Sequence, residues 1–219
     1  VAAIFRLTGR APGRHHFAET IRTIELNFLK VQCGYQDQYM AVFGGLNFMD
    51  FRGKEHYRDL RSELYATVEP LAGHVSELPF VLAHTGVKRV SGSVLKPIRE
   101  RWLEGDADVR EGYSEIAQLA QLGKRALIDG DWPTLGRLMN RNHAIQQRLG
   151  ASGEANDRLI DAANRAGALG AKLAGAGGGG TIIALTQEPA KAIEALESEG
   201  SARILRLEPG EGARVEEGV

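Results

Sequence analysis

The sequence predicts an α+β fold in which short antiparallel strands pair and helices pack on one face of the sheet. Three observations predict it. Leu78–His84 and Thr181–Leu185 are compact apolar runs of strand length, the first closed by Thr85-Gly86 and the second opened by a glycine run. Between them lie three long stretches with helical spacing, 94–103, 109–128 and 132–149, broken at Gly105-Asp106 and Gly130-Asp131. The segment 171–185 then reads as strand, glycine loop, strand, followed by an amphipathic helix over Pro189–Glu199 and an alternating strand over Arg203–Leu207.

The elements follow in chain order. Val1–Leu7 reads as the inside of an apolar helix, and its first residue is not Met, so the chain is expected to be a piece of something longer. Gly9-Arg10-Ala11-Pro12-Gly13 is a loop signal. From His16 to Val31, Phe17, Ile21, Ile24, Phe28 and Val31 recur at helical spacing, with Gly34 expected to end that helix. Gln36–Phe43 has the length of a helical turn or two. Gly44-Gly45 then leads into the alternating run Leu46–Phe51, a half-buried strand with a hairpin partner expected around Leu64–Val68. Asp131 suits an N-cap with Pro133 in the first turn, and Ser152 suits the cap of the helix through Leu159, Ala163 and Ala166. The acidic tail Glu208–Val219 reads as a loose end, and a domain boundary falls near Ser76.

Composition narrows the function classes. The 219 residues are 43% hydrophobic and 25% charged, the balance of an ordinary globular protein. With 27 Lys plus Arg against 28 Asp plus Glu, no bulk field draws the chain to nucleic acid or an anionic membrane. A single cysteine, Cys33, excludes an internal disulfide framework and fits a reducing compartment, and no apolar run approaches the length of a membrane span. Small-molecule chemistry in the cytoplasm is the expectation.

Four places carry candidate chemistry. In Lys172-Leu-Ala-Gly-Ala-Gly-Gly-Gly-Gly180 the glycines are flanked by β-type residues without Ser or Pro padding, unlike a flexible linker. Two readings stand: a loop whose backbone N–H groups face an anion, or a tight structural hairpin. It lacks the Gly-Lys-Ser/Thr ending of a Walker A loop, and no helix opens from it as in a dinucleotide fingerprint. Asp37, just after Gly34, reads either as a helix N-cap or as a carboxylate that accepts a hydroxyl proton. Glu25 is either a solvated helix residue or one carboxylate ligand for a Mg²⁺ that keeps most of its waters. Thr85–Arg89, between a strand and a helix, is either an anion-binding helix start or an ordinary junction. His15, His16 and His143 show no metal-ligand spacing and read as surface or packing residues.

Together these pieces resemble the galactokinase, homoserine kinase, mevalonate kinase and phosphomevalonate kinase (GHMP) superfamily. Lys172–Gly180 is similar to the family's third glycine motif, and Gly34-Tyr-Gln-Asp-Gln38 to the segment bearing its active-site aspartate. Met139-Asn-Arg-Asn-His143 and Leu149-Gly-Ala-Ser152 resemble the helix pair before the third motif. The resemblance implies the remainder of a ribosomal-S5-domain-2-like N-terminal domain over 1–76 and a ferredoxin-like C-terminal domain over 77–219. It implies Asp37 as catalytic residue, Glu25 as Mg²⁺ ligand, and Gly175, Gly177, Gly178 and Gly179 on the ATP side. Gly34, Gln36, Thr85, Gly86 and Arg89 would lie on the substrate side.

Gln36–Tyr39, Phe43–Phe51 and His84–Arg89 look like the bacterial D-glycero-D-manno-heptose 7-phosphate kinase branch, whose acceptor is an anomeric hydroxyl. Kinases for fucose, galactose, uronic acids or antibiotic sugars share much of the pattern. The Gly-Leu-Gly-Ser-Ser loop that wraps ATP phosphates in this family does not occur here, and Val1–Phe5 looks like the helix after it. The chain alone is therefore expected to be inactive. A non-catalytic binding protein on the same fold is the competing class, and a homodimer is a possible assembly.

Overall fold

A computed structural model gives the structure of residues 1–31, 33–52, 64–88 and 91–214, with the side chain of Ser91 excepted. The chain divides into two compact units, Val1–Ser76 with Pro209–Val219, and Glu77–Glu208.

The first unit holds α1 (Ala2–Leu7), α2 (Arg14–Thr23), a π-helical turn (Ile24–Phe28), α3 (Gln36–Phe43), and the antiparallel pair β1 (Asn47–Asp50) and β2 (Thr67–Pro70). Its core joins Ala18, Phe17 and Ile21 of α2 to Tyr39, Val42 and Phe43 of α3, with Met49, Phe51, Ala66 and Val68 beneath. The helix expected to run from His16 to Gly34 ends earlier. At Lys30 the backbone is left-handed, with φ of 57° (rare for a side-chain-bearing residue), and the chain reverses there instead of at the glycine. The hairpin partner of β1 starts a little later than expected, and residues 53–63 lie outside the described residues.

The tail is also placed differently. Gly45 N–H donates to the Gly210 carbonyl at 2.7 Å, Ala213 N–H to the Ala41 carbonyl at 2.9 Å, and Glu211 bridges Gly44. Residues 209–214 therefore close on the end of α3, where Gly44 and Gly212 lack side chains that the opposing backbone would exclude. This contact is long-range and made by backbone groups, so side-chain pattern carries no trace of it.

The second unit is built on a four-stranded antiparallel sheet, with β3 (Phe80–His84), β4 (Gly170–Ala174), β5 (Thr181–Leu185) and β6 (Arg203–Arg206) in the order β4-β5-β3-β6. Four helices connect β3 to β4: α4 (Ser91–Glu104), α5 (Ala107–Asp129), α6 (Trp132–Arg148) and α7 (Glu154–Arg165). The last, α8 (Pro189–Ser198), connects β5 to β6. A β-α-β-β-α-β path with this strand order is the ferredoxin-like arrangement that the resemblance implied.

One sheet face presents Val81, Ala83, Ala171, Leu173, Ile182 and Ala184 to Leu159, Ile160 and Ala163 of α7 and Leu196 of α8. Phe80, Ile183 and Leu185 of the other face pack on Ala126 of α5 and Leu135 and Met139 of α6. The helix boundaries follow their punctuation. Asp106 and Asp131 accept N-cap hydrogen bonds from Val109 N–H and Thr134 N–H, and Gly130 closes α5 in the left-handed conformation. Ser152 does not cap α7. Gly153 holds that position, and the Ser152 hydroxyl donates to Asp157 inside the helix. Among the described residues, no helix is long and apolar enough to cross a membrane.

Candidate active site

In the first unit, the turn between α2 and α3 gathers the predicted acceptor-side residues. Glu25 sits in the π-helical turn, a widening that recurs at functional sites. Its Oε2 accepts from Gln38 Nε2 at 2.5 Å, tying it to α3 beside Asp37. Asp37 is exposed and lies in the first turn of α3, where the helix dipole favours a carboxylate. The N-cap reading of Asp37 fails: Tyr35 occupies the cap position, and no side chain makes a cap hydrogen bond there. Asp37 accepts no hydrogen bond from a described residue, so its oxygens are open to a ligand. Gly34 and Gln36 flank it and are exposed, and the Gly34 carbonyl accepts from Arg22 Nε at 3.1 Å.

A tyrosine cluster backs this turn. Tyr35 and Tyr65 rings lie 4.6 Å apart, and the Arg22 guanidinium stands 3.8 Å over Tyr35. Glu19 accepts from the Tyr39 hydroxyl at 2.5 Å and from Tyr65 N–H at 2.8 Å. Burial, then the hydrogen bond to Glu19, pushes the Tyr39 hydroxyl well above the usual tyrosine range, and burial and Tyr65 do the same for Tyr35. Neither phenol is a proton donor of use near neutral pH. Burial and then Glu25 likewise raise the Cys33 thiol, which leaves it a poor nucleophile.

Glu25 suits a magnesium ion brought in with phosphates. It is a single hard-oxygen ligand with one oxygen not used by Gln38, and Mg²⁺ needs only one or two carboxylates because it retains waters. Among the described residues, no group of three or more His, Cys, Asp or Glu converges as a dedicated cage.

In the second unit, the glycine hairpin is packed from several sides. A Cβ on Gly177 would stand 1.8 Å from the Ala151 carbonyl oxygen, and one on Gly178 would stand 2.6 Å from Val94 of α4. At Gly179 it would meet Val87 at 3.1 Å. Gly175, Gly177, Gly178, Gly179 and Gly180 all have positive φ. Asn156, fully buried in α7, accepts from Gly179 N–H at 2.6 Å and donates to its carbonyl at 3.1 Å. The Gly179 amide is thus already paired within the chain.

Thr85 N–H donates to the Gly180 carbonyl at 2.8 Å, so the structure brings Thr85-Gly86 against the glycine hairpin. Gly86 N–H is taken by His84 Nδ1 at 2.9 Å, and Arg89 lies outside the described residues.

Below the hairpin, His143 is buried and its Nε2 lies 3.2 Å from Asp157, which also accepts from Gln147 at 2.9 Å. Burial lowers the His143 pKa, opposed in part by Asp157. Lys172, half-buried on β4, donates to the Leu173 carbonyl, and desolvation lowers its pKa from 10.5 to about 8. Because the folded value lies below the unfolded one, the unfolded chain holds a proton between these values that the folded chain has lost. Stability contributed through this group therefore rises with pH across that window. Lys172→Met is expected to remove this dependence. The difference between the urea midpoints of wild type and variant should change from pH 7.5 to pH 10.5, and a constant difference would refute the assignment.

Sequence reading missed three residues. Gln38 stands in the sequence only as the last residue of the Gly34–Gln38 motif, and neither Arg22 nor Asn156 belongs to any motif there. A buried amide inside a strongly amphipathic helix was the available signal for Asn156.

Comparison with known proteins gives the family. The family model described as GHMP kinases C terminal matches residues 124–202, the stretch from within α5 through the glycine hairpin to the start of β6. The chain belongs to the GHMP kinase superfamily. It is similar to Glucuronokinase 1 of Arabidopsis thaliana, 32% identical over 185 residues, which cover 83% of this chain and 49% of that protein. It is also similar to the mevalonate kinase of Thermococcus onnurineus, 33% identical over 223 residues, covering 99% of this chain and 62% of that protein. The chain thus spans between about half and three-fifths of the length of these relatives.

Among solved structures, Lactococcus lactis galactokinase complexed with galactose aligns over 96% of this chain and 63% of its own, with TM-score 0.71 and 20% identity. At that identity the likeness is one of fold, and it supports the α+β assignment for this GHMP member.

Proposed function

We propose that this chain acts as part of an ATP-dependent GHMP kinase that phosphorylates a hydroxyl of a small sugar or sugar derivative. The observation that carries the reading is Asp37: an exposed carboxylate at the start of α3, without a hydrogen-bond partner among the described residues, beside the Glu25–Gln38 pair. Asp37 orients the acceptor hydroxyl and takes its proton as the new oxygen–phosphorus bond forms and the bond to the β-phosphate oxygen of ATP breaks. Bound Mg²⁺ would spread the phosphate charge, and Glu25 is the residue that would help hold it. Residues 1–76 contribute this acceptor side, and 77–208 supply the C-terminal domain with its glycine hairpin. Within the first unit Gly34 and Gln36 are the substrate-side residues, and within the second Gly175, Gly177 and Gly178 are the phosphate-side residues. A cytoplasmic setting and a homodimer complete the proposal.

The acceptor is an anomeric hydroxyl. The segments 36–39 and 43–51 favour D-glycero-D-manno-heptose 7-phosphate, and similarity to a glucuronokinase favours a uronic acid. ATP consumption by the whole kinase of which this chain is part should be screened against heptose 7-phosphates, glucuronate, galactose and fucose. With the substrate that works, Asp37→Asn is expected to lower kcat about 10²–10⁴-fold, the range for a positioned general base. Unchanged turnover would remove Asp37 from the chemistry, and activity confined to an amino acid would overturn the sugar reading.

A further inference from the structure

Arg22 stands between Glu19 and Glu25, three residues from each on the same helical path. An arginine so placed ordinarily pairs with one of them. Here both carboxylates are engaged elsewhere: Glu19 with the Tyr39 hydroxyl and Tyr65 N–H, Glu25 with the Gln38 amide. Arg22 instead lays its guanidinium 3.8 Å over the Tyr35 ring and directs Nε to the Gly34 carbonyl at 3.1 Å. These two contacts fix the plane of the fork. Its two terminal nitrogens make no hydrogen bond or ion pair with a described residue.

A guanidinium held in plane, with two parallel donors open, is matched to a carboxylate or phosphate taken bidentately. Stacking on an aromatic face adds to this, because the side-chain freedom lost on binding an anion is already restricted. Gly34, whose carbonyl anchors the fork, lies three residues before Asp37. An anion gripped by Arg22 would therefore belong to a molecule whose hydroxyl can reach Asp37.

We propose that Arg22 binds an anionic group of the acceptor substrate, so that the substrate class is a sugar acid or sugar phosphate and not a neutral sugar. The inference rests on the kinase reading above for the word "substrate" but not for the anion site itself. Lysine at this position would keep the charge and lose the fork.

The test uses protein labelled with ¹⁵N-arginine, with the Arg22 Nε–H resonance assigned by its loss in Arg22→Lys. D-glucuronate, glucose 6-phosphate, glucose and ATP are titrated separately. The resonance is expected to shift with glucuronate or with glucose 6-phosphate, and whichever shifts it identifies carboxylate or phosphate as the source. Glucose should leave it in place. No shift with either anion, an equal shift with glucose, or a stronger shift with ATP than with both anions would overturn the proposal.

In turnover, Arg22→Gln should raise KM for the anionic substrate tenfold or more with kcat little changed. Equal losses for neutral and anionic sugars would show that Arg22 only braces the turn. Anion binding by the whole kinase without ATP turnover would count against the kinase reading and leave the Arg22 site standing.

Discussion

Gly177→Ala is expected to destabilise the second unit by more than about 4 kcal/mol, a loss confined to severe mechanisms such as backbone overlap. Two effects act together. At φ of 84° an L-residue costs about 1–2 kcal/mol from the contact of its Cβ with the neighbouring carbonyl. The larger effect is steric, because the added methyl would stand 1.8 Å from the Ala151 carbonyl oxygen and 2.7 Å from its carbon. These are backbone atoms in the junction between α6 and α7, so relief requires moving that junction, which also positions Asn156. Gly130→Ala separates the two effects: φ is 68° there, but nothing lies within 4 Å of the added carbon. Urea denaturation should show a small loss for Gly130→Ala and a large one, or no cooperative transition, for Gly177→Ala. Similar small losses for both would mean that the hairpin is not packed on Ala151.

Gly136→Ala should also be strongly destabilising, by about 3 kcal/mol or more, although glycine-to-alanine inside a helix ordinarily stabilises by roughly 1 kcal/mol. The sign reverses because α6 lies backbone-to-backbone against the edge strand β4. A Cβ on Gly136 would meet the Leu169 carbonyl oxygen at 2.2 Å, and one on Gly170 would meet the Gly136 oxygen at 2.1 Å. This closeness lets Asn140 of α6 accept from Ala171 N–H at 2.9 Å, satisfying an outward amide that an edge strand would leave open. Gly123→Ala is the matching control, since its added carbon meets only Leu135 at 3.6 Å, an ordinary contact. Thermal denaturation should find Gly123→Ala neutral or slightly stabilising and Gly136→Ala far less stable than wild type. A stabilised Gly136→Ala variant would contradict the contact between α6 and β4.

Much of the fold was legible because its signals are local. Asp131 next to Gly130 marks a helix start wherever the helix packs, since the cap bond to Thr134 N–H is made within the same turn. The apolar runs 78–84 and 181–185 are strands because each must bury side chains along a short extended segment. The early end of α2 was not legible, since Lys30 carries no sequence mark of a left-handed residue. Ser152 showed the limit of composition: a hydroxyl suited to a cap was drawn to Asp157, five residues on, and Gly153 took the position instead.

The candidate site divides along the same line. Gly34–Gln38 and Lys172–Gly180 stood out because their residue types are unusual in runs, and the order of the two motifs carried the family. The partners of those motifs had no such signature. Gln38 on Glu25, Arg22 on Tyr35 and Asn156 on Gly179 each join positions separated by 13 to 23 residues, and only folding sets them together.

By itself, then, the sequence determined the α+β class, the helix and strand order of the second unit and the motif residues Asp37, Glu25 and Gly175–Gly180, because periodicity, capping and glycine act at short range. Tertiary structure alone decided that the Gly179 amide is held by Asn156, that Asp37 does not cap α3, and that two Arg22 donors meet no partner among the described residues. Each depends on which of several nearby partners a polar group meets, and packing makes that choice.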